Sequence, residues 1–407
     1  MGATGPHAAV VVEANRMLRS GRSARGSALG LVLALAFAAC APAPAAQPQP
    51  AASPPPPANT SRAPSAPAAS TGRSDALQAM VNAARAEGQL NLVWNPGTIG
   101  TAEDIQRLAE GFNKYYGLNL NVQFTPGPAM PQMAVRTIQE LQAGRPASTD
   151  VYIGVETHIV TMMQADALEP VDWASWAANV RDGRLLAPGG VAVQIATRVP
   201  GISYNTQRVA SNEVPQSLQD LLKPQYKGRV ASTPYAGNFD VLAAPEMWGE
   251  QAAVDYVTKL ADQVGGLIRC GEYERLASGE VDLFAIDCDS FYTKKMQSQG
   301  APLGYVVPAD AALLLYHYMG VPRNAPHPNA ARLWIDYMLS REAQDMLYAS
   351  DAVDHHLLPG SHNAAEIERL RASGVKFLEL DVAFAQRYDE KERGRMQAEL
   401  QRLLQKR

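Results

Sequence analysis

The sequence lacks several features that would assign it to a familiar class of protein. It has only three cysteines, Cys40, Cys270 and Cys288, among 407 residues. That number is too small for a disulfide-rich scaffold, and the spacing matches no zinc site. It has no long basic tract, and its formal net charge is −4, so we do not expect it to bind nucleic acid. It also has no G-x-S-x-G nucleophile motif, so we expect no enzymatic activity, with a surface hydrolase as the alternative.

The apolar segment near the N-terminus is too short to span a membrane. It covers Ala28–Ala39, which is 12 residues, whereas a membrane-spanning helix needs about 20. Arginines precede this segment and small residues end it, which is typical of a secretory signal. We therefore predict a signal peptide over residues 1–39. Met17, inside the basic part, is an alternative start to Met1.

The residues that end this segment indicate a lipid anchor. The run Phe37-Ala38-Ala39-Cys40 resembles the bacterial lipobox, in which small residues precede a cysteine that becomes lipidated, although leucine is usual where Phe37 stands. The resemblance implies that acyl chains on Cys40 hold the protein at the cell membrane, outside the cytoplasm, in the periplasm or at the cell surface. A soluble secreted protein with a cysteine near its cleavage site is the alternative.

A tether follows the predicted lipid anchor. Ala41–Gly72 consists mainly of Ala, Pro, Ser and Gln, a composition that cannot bury a core and that proline keeps extended. We therefore predict a linker over residues 40–74 and a folded region after it.

The folded region alternates between helical and strand patterns, which predicts an α/β fold. Gln89–Trp94 has the period of a strand, and after a turn Ala102–Tyr116 has the period of a helix. Repeated winding of this kind predicts a largely parallel sheet. Ligands of such sheets bind beyond the carboxyl ends of the strands, which directs attention to the loops Asn95–Thr101 and Gly154–His158.

Three stretches of the folded region have a family-specific pattern. They are PGISYNT at Pro200–Thr206, VPQSLQDLLKPQYKGRV at Val214–Val230, and the segment Asn324–Gln344. In order and spacing they resemble the solute-binding proteins of ABC importers, in the branch that contains ferric-iron binders. One departure is Leu218, where that family usually has tryptophan.

The resemblance implies a two-lobed, periplasmic-binding-protein-like fold of type II with a ligand cleft at the hinge. Each lobe is then a mostly parallel sheet flanked by helices. We expect lobe 1 over residues 75–195 and lobe 2 over residues 196–312. Residues 313–407 are expected to cross back and to pack their helices mainly on lobe 1.

Nine residues are candidates for contact with the solute, because they lie in loops that such a cleft would collect. Each of them is alternatively an ordinary loop, packing or helix-capping residue. The candidates are Thr98, Glu156, Thr157, Tyr204, Tyr235, Asn238, Asp287, Asp289 and Tyr292.

The resemblance also implies an alternative solute, ferric iron, which the relatives bind through adjacent tyrosines. The matching position here is occupied by Phe291 and Tyr292, so only one tyrosine is kept. A metal site would therefore need Asp287 and Asp289 beside Tyr292, since carboxylates also suit hard cations. Alternatively, these carboxylates contact an amine or cap the following helix.

The two remaining cysteines, Cys270 and Cys288, are expected to form a disulfide, because the predicted compartment is oxidising. A nucleophilic cysteine is the alternative, and it would need a nearby base.

Together these features predict a lipoprotein that binds a small solute and delivers it to an ABC permease. It would act as a monomer without a cofactor. A ferric-iron binder and a solute-sensing subunit of a receptor are the alternatives.

Overall fold

The computed structural model describes residues 69–405, with side chains described from Asp75 onward. These residues belong to one compact unit, Ser65–Arg407. The predicted signal peptide, Cys40 and most of the predicted linker lie outside the described residues. The first helix begins at Ala69, which is within the predicted linker. No described helix is long and apolar enough to cross a membrane.

The described elements alternate as an α/β fold requires. The helices are α1 (Ala69–Glu87), α2 (Ala102–Tyr116), α3 (Met130–Gln142), α4 (Glu156–Gln164), α5 (Trp173–Trp176), α6 (Phe239–Leu242), α7 (Glu250–Ala261), α8 (Glu274–Ala277), α9 (Ser290–Ser298), α10 (Pro328–Met338), α11 (Arg341–Asp351), α12 (His362–Ala372), α13 (Val382–Arg387) and α14 (Glu390–Gln405). The strands are β1 (Gln89–Trp94), β2 (Asn121–Pro126), β3 (Tyr152–Gly154), β4 (Val193–Arg198), β5 (Ile202–Asn205), β6 (Val230–Ser232), β7 (Val264–Leu267), β8 (Leu283–Phe284), β9 (Leu303–Val306), β10 (Leu313–Gly320) and β11 (Leu378–Leu380).

Local sequence signals account for helix α2, whose bounds match the prediction. Thr101 caps its N-terminus by accepting a hydrogen bond from the Asp104 backbone amide, and the Asp104 carboxylate accepts one from the Thr101 amide. Gly117 ends the helix in the left-handed conformation, with φ of 62°. The buried face of α2 has helical spacing, so that packing and capping favour the same element.

Lobe 1 is built from mixed strand pairs. Strands β1 and β2 run parallel, and a bridge between Leu92 and Val151 continues this sheet toward β3. The long strand β10 pairs in parallel with β11 and antiparallel with both β3 and β4. The lobe 1 core lies between this sheet and helices α1, α2 and α10, with Phe112 and Trp334 both fully buried at its centre.

Lobe 2 contains a five-stranded sheet in the order β7-β6-β8-β5-β9. Strand β6 is parallel to β7 and β8, whereas β5 is antiparallel to β8 and β9. The sheet is therefore mixed, with β5 running against the other four strands. Strand β5 follows β4 after a short crossing from lobe 1, with no helix between them, so the parallel βαβ arrangement does not extend to it.

The C-terminal helices divide between the lobes. Helices α10 and α11 contribute to the lobe 1 core. Helix α14 instead places Met396, Leu400 and Leu404, all 0% exposed, in the lobe 2 core. Their four-residue spacing puts them on one face of the helix. Among the helices of residues 313–407, which were expected to pack mainly on lobe 1, α14 therefore packs on lobe 2.

Candidate functional site

A loop and a helix of lobe 1 meet helix α9 of lobe 2. In lobe 1, the Gly100 amide donates to the Asp351 carboxylate over 2.6 Å. From lobe 2, the Lys295 ammonium lies 3.4 Å from the other oxygen of the same carboxylate. Asp351 thus joins the loop 95–101 to the helix that follows residues 287–289. This junction lies at the edge of the cleft that the sequence predicts.

An ion pair between Arg198 and Asp289 fixes the hinge side of the cleft. Arg198 is the last residue of β4, and its Nε lies 2.6 Å from Asp289 Oδ2. Its Nη2 also donates to the carbonyl of Cys288 over 3.1 Å. Asp289 caps α9 by accepting from the Phe291 amide. Its buried carboxylate is therefore held by a guanidinium and a helix N-terminus.

Asp287 faces the interior of lobe 2, away from the cleft. Its side chain is fully buried, and it accepts hydrogen bonds from the Gly201 amide over 2.8 Å and from the Ser203 hydroxyl over 2.5 Å. Burial raises its pKa to about 7, although these two hydrogen bonds act in the opposite direction. The structure therefore gives no support to a contact of Asp287 with solute or metal, because its oxygens hold β5 and the crossing in place.

Tyr292 lies in the first turn of α9, half-buried among other aromatic rings. Its ring centroid is 3.8 Å from that of Phe291 and 5.0 Å from that of Tyr273, against which it stacks. Burial raises the pKa of the Tyr292 phenol, and the Arg198 charge lowers it. The phenol therefore stays protonated near neutral pH.

The three predicted metal ligands do not converge on one point. Asp287 turns to the lobe 2 interior and Asp289 to Arg198, which leaves Tyr292 without a carboxylate partner for a cation. Across the described residues, no three His, Cys, Asp or Glu side chains are placed to share a metal ion. The predicted ligand set for ferric iron is therefore not supported by the geometry.

Glu156, the first residue of α4, is in contact with the C-terminal helix. Its carboxylate accepts from Arg393 Nη1 over 2.7 Å, and Arg393 Nε lies 3.0 Å from Asp240 Oδ2 in lobe 2. Burial raises the pKa of Glu156, and the Arg393 charge opposes this rise. Burial also lowers the pKa of the neighbouring His158 to about 4, so this ring is neutral near pH 7.

Thr157 lies on the side of α4 that faces α13 and α14. It lines a surface pocket of about 430 Å³ together with Ala385 and Lys391 of the C-terminal segment. The predicted solute contact of Thr157 would therefore involve this C-terminal segment as well.

The loop 233–238 is attached to its neighbours by both predicted contact residues. The Tyr235 hydroxyl donates to Cys270 Sγ over 2.6 Å and accepts from the Cys270 amide over 3.1 Å. Asn238, whose backbone is left-handed with φ of 68°, donates through its side-chain amide to the carbonyl of Asp287 over 2.8 Å. These polar groups therefore support the cleft wall.

Cys270 and Cys288 are joined in a disulfide, with Cα atoms 5.7 Å apart. The bond ties the loop before α8 to the residue that precedes the Asp289 cap. The alternative of a nucleophilic cysteine is not supported for either residue, because both sulfurs are in the bond.

The remaining predicted contacts, Tyr204 and Thr98, differ in placement. The Tyr204 ring packs over Gly304 at the margin of the lobe 2 core, where a Cβ on Gly304 would overlap it. Thr98 is half-buried in the loop 95–101, and its amide closes a turn onto the carbonyl of Asn95 over 3.0 Å. Only Thr98 of this pair belongs to a loop of the cleft.

The sequence reasoning missed several charged residues of the cleft. The missed residues are Arg198, Asp240, Lys295, Asp351 and Arg393. Arg198 could have been noticed, because a charge ends an otherwise apolar strand pattern. Arg393 gave no such signal, since it is one of many charged residues on a helix that was expected to contact lobe 1.

Comparison with known proteins agrees with this architecture. The family model described as bacterial extracellular solute-binding protein matches residues 153–381. An uncharacterized protein of Haemophilus influenzae is 29% identical over 157 residues, which is 36% of this chain and 45% of that protein. The major ferric iron-binding protein of Neisseria meningitidis serogroup A is 22% identical over 285 residues, covering 67% of this chain and 84% of that protein.

Solved structures share the fold at low sequence identity. The substrate-binding protein of an ABC transporter from Agrobacterium tumefaciens has a TM-score of 0.63 at 15% identity, covering 78% of this chain and 95% of that one. Iron-bound HitA from Pseudomonas aeruginosa has a TM-score of 0.53 at 20% identity, covering 65% of this chain and 85% of that one. The spermidine/putrescine ABC transporter substrate-binding protein PotD from Streptococcus pneumoniae gives 0.56 at 18%, covering 77% and 99%.

These structures confirm the expected two-lobed α/β fold, and the family model covers more than half of the chain. The protein therefore belongs to the bacterial extracellular solute-binding proteins.

Proposed function

We propose that this protein captures a small solute outside the cytoplasm and presents it to the permease of an ABC importer. The observation that carries the proposal is the contact of the lobe 1 loop 95–101 and helix α11 with helix α9 of lobe 2, between two lobes that each have their own core. Two bodies joined at a hinge can bury a ligand by closing on it. The protein acts as a monomer and performs no catalysis in this role.

The solute is a small polar organic molecule in this proposal. We infer that it contacts the half-buried Thr98 and Tyr292, near the ion pairs that Arg198 and Lys295 form. The predicted metal ligands do not converge on one point, which disfavours a hard cation as the solute. Ferric iron is the second candidate, because relatives of the chain are named as ferric iron-binding proteins.

Native mass spectrometry with metal analysis tests this assignment on the folded unit Ser65–Arg407. We expect a bound small organic mass and iron well below one equivalent. Stoichiometric iron would instead support the ferric-iron candidate, and Tyr292→Phe should then abolish it. A protein that is empty and shows no thermal shift across a broad solute panel would contradict solute binding itself.

We also propose that Cys40 carries a lipid that anchors the protein to the cell membrane. The support is the small-residue run before Cys40 and the Ala/Pro-rich segment after it. In cells, Cys40→Ser should move the protein from the membrane fraction to the soluble fraction and abolish labelling by a fatty-acid analogue. Retention of Cys40→Ser at the membrane would contradict a lipid anchor.

A further inference from the structure

The last two helices form a segment that contacts both lobes, and we name it the C-terminal strap (Val382–Gln405, α13 and α14). In α13, Val382 joins the hydrophobic cluster that contains Ile159 of α4, whereas Phe384 joins the lobe 2 core. The strap lies beyond residues 153–381, which the family model matches. It is therefore placed to respond to the relative position of the lobes.

Helix α14 is attached to lobe 2. Its buried face packs in the lobe 2 core, and two side-chain amides bind the loop 233–238 of that lobe. Gln397 donates to the carbonyl of Tyr235 over 3.2 Å, and Gln405 donates to that of Pro234 over 2.8 Å. Any side chain of α14 that reaches lobe 1 therefore joins the two lobes.

Arg393 is such a side chain. Its guanidinium lies between Asp240 of lobe 2, at 3.0 Å, and Glu156 of lobe 1, at 2.7 Å. The Glu156 side chain is 4% exposed and that of Arg393 is 18% exposed, so solvent screens this contact little. If the lobes separate, Arg393 stays with Asp240, and only Glu156 loses its partner.

We propose that Arg393 is a latch that holds the lobes together before any solute binds, through its ion pair with Glu156. Solute then binds a cleft whose closed form is already populated, which reduces the part of the binding free energy that closure consumes. The latch does not depend on the identity of the solute. Closure is measured on the solute-free protein, so the latch is tested separately from solute binding.

Double electron–electron resonance on the solute-free folded unit tests the latch. Spin labels at Gln106 and Lys259, exposed positions of α2 in lobe 1 and α7 in lobe 2, report the distance between the lobes. We expect a single short-distance population in the parent protein. Arg393→Met should add a population at a different distance, because Glu156 is released.

Two further variants separate the latch from general damage to the fold. Arg395→Met removes an equal charge from the same helix, but Arg395 pairs with Glu250 inside lobe 2, so its distances should match the parent. Glu156→Ala breaks only the contact with lobe 1 and leaves Arg393 paired with Asp240, so it should shift the distances as Arg393→Met does. Unchanged distances in Glu156→Ala, or an equal shift in Arg395→Met, would overturn the proposal.

Discussion

The carboxyl group of Asp287 shows how tertiary burial changes the chemistry of a residue. Its oxygens accept bonds from Gly201 and Ser203 inside lobe 2. In the unfolded chain the group would titrate near 3.8, and in the folded protein burial raises its pKa to about 7. Between pH 3.8 and about 7, Asp287 of the folded protein therefore keeps a proton that it has already lost in the unfolded chain.

This difference predicts a pH-dependent effect of Asp287→Asn. The parent should lose stability as pH rises from about 4 to about 7, because the unfolded state then binds fewer protons than the folded state. Asparagine does not titrate, so the variant should gain stability relative to the parent over this window, by on the order of 4 kcal/mol. Urea unfolding at several pH values measures the difference.

The difference in free energy of unfolding between the parent and Asp287→Asn isolates the contribution of Asp287. Buried histidines such as His158, whose pKa is lowered to about 4, change stability with pH in both proteins and cancel. Parallel stability curves for parent and variant between pH 4 and 7 would show that Asp287 is not protonated in the folded protein.

At the scale of elements, the disulfide organises the entry into α9. It joins the loop before α8 to the residue preceding Asp289, whose carboxylate caps α9 and pairs with Arg198. The Tyr235 hydroxyl adds the loop 233–238 to the same cluster. Three segments of the cleft wall therefore depend on one covalent link.

Removing this link should destabilise the folded unit. The bond spans a sequence separation of 18, for which chain-entropy models give about 3 kcal/mol. The variant with both Cys270→Ala and Cys288→Ala should lose about this amount in guanidinium unfolding. Reductant should lower the stability of the parent and have no effect on the variant, and insensitivity of the parent to reductant would argue against the bond.

Secondary structure was predictable where local signals were strong. Strand β1 and helix α2 have the predicted bounds, because period, cap and C-terminal glycine agree. Strand β7 (Val264–Leu267) lacks such signals, because it contains two glycines and begins only three residues after the end of α7 at Ala261. At Gly265, a Cβ would overlap the carbonyl of Gly228, so this strand depends on a contact that is remote in sequence.

At the scale of the whole molecule, the placement of α14 decides which lobe depends on the C-terminus. Leu400 is fully buried in the lobe 2 core with Val257 of α7. A buried leucine truncated to alanine typically costs about 2–5 kcal/mol. Truncation of Leu400 should therefore destabilise lobe 2, whose core contains it.

Leu400→Ala should therefore increase amide hydrogen exchange in α7 and leave α2 of lobe 1 protected. Leu108→Ala, which removes a buried leucine from α2, should give the opposite pattern. Hydrogen exchange followed by mass spectrometry measures both. If Leu400→Ala instead lost protection in α2 but not in α7, α14 would pack on lobe 1 and the assignment to lobe 2 would be contradicted.

The sequence by itself determined the fold class, the family and the order of most elements. Periodicity, capping residues and turn residues act over a few positions, and the family resemblance extends along Pro200–Thr206 and Val214–Val230. The predicted signal peptide and the lipid anchor at Cys40 also rest on local sequence alone.

Only the tertiary structure decided what each charged residue does. Asp287 and Asp289 are two positions apart, yet one faces the lobe 2 interior and the other pairs with Arg198. Glu156 and Arg393 are separated by 237 positions, and no local pattern links them. Charge pairing depends on which elements the fold brings within a few ångströms, and packing of the two lobes and the strap fixes that distance.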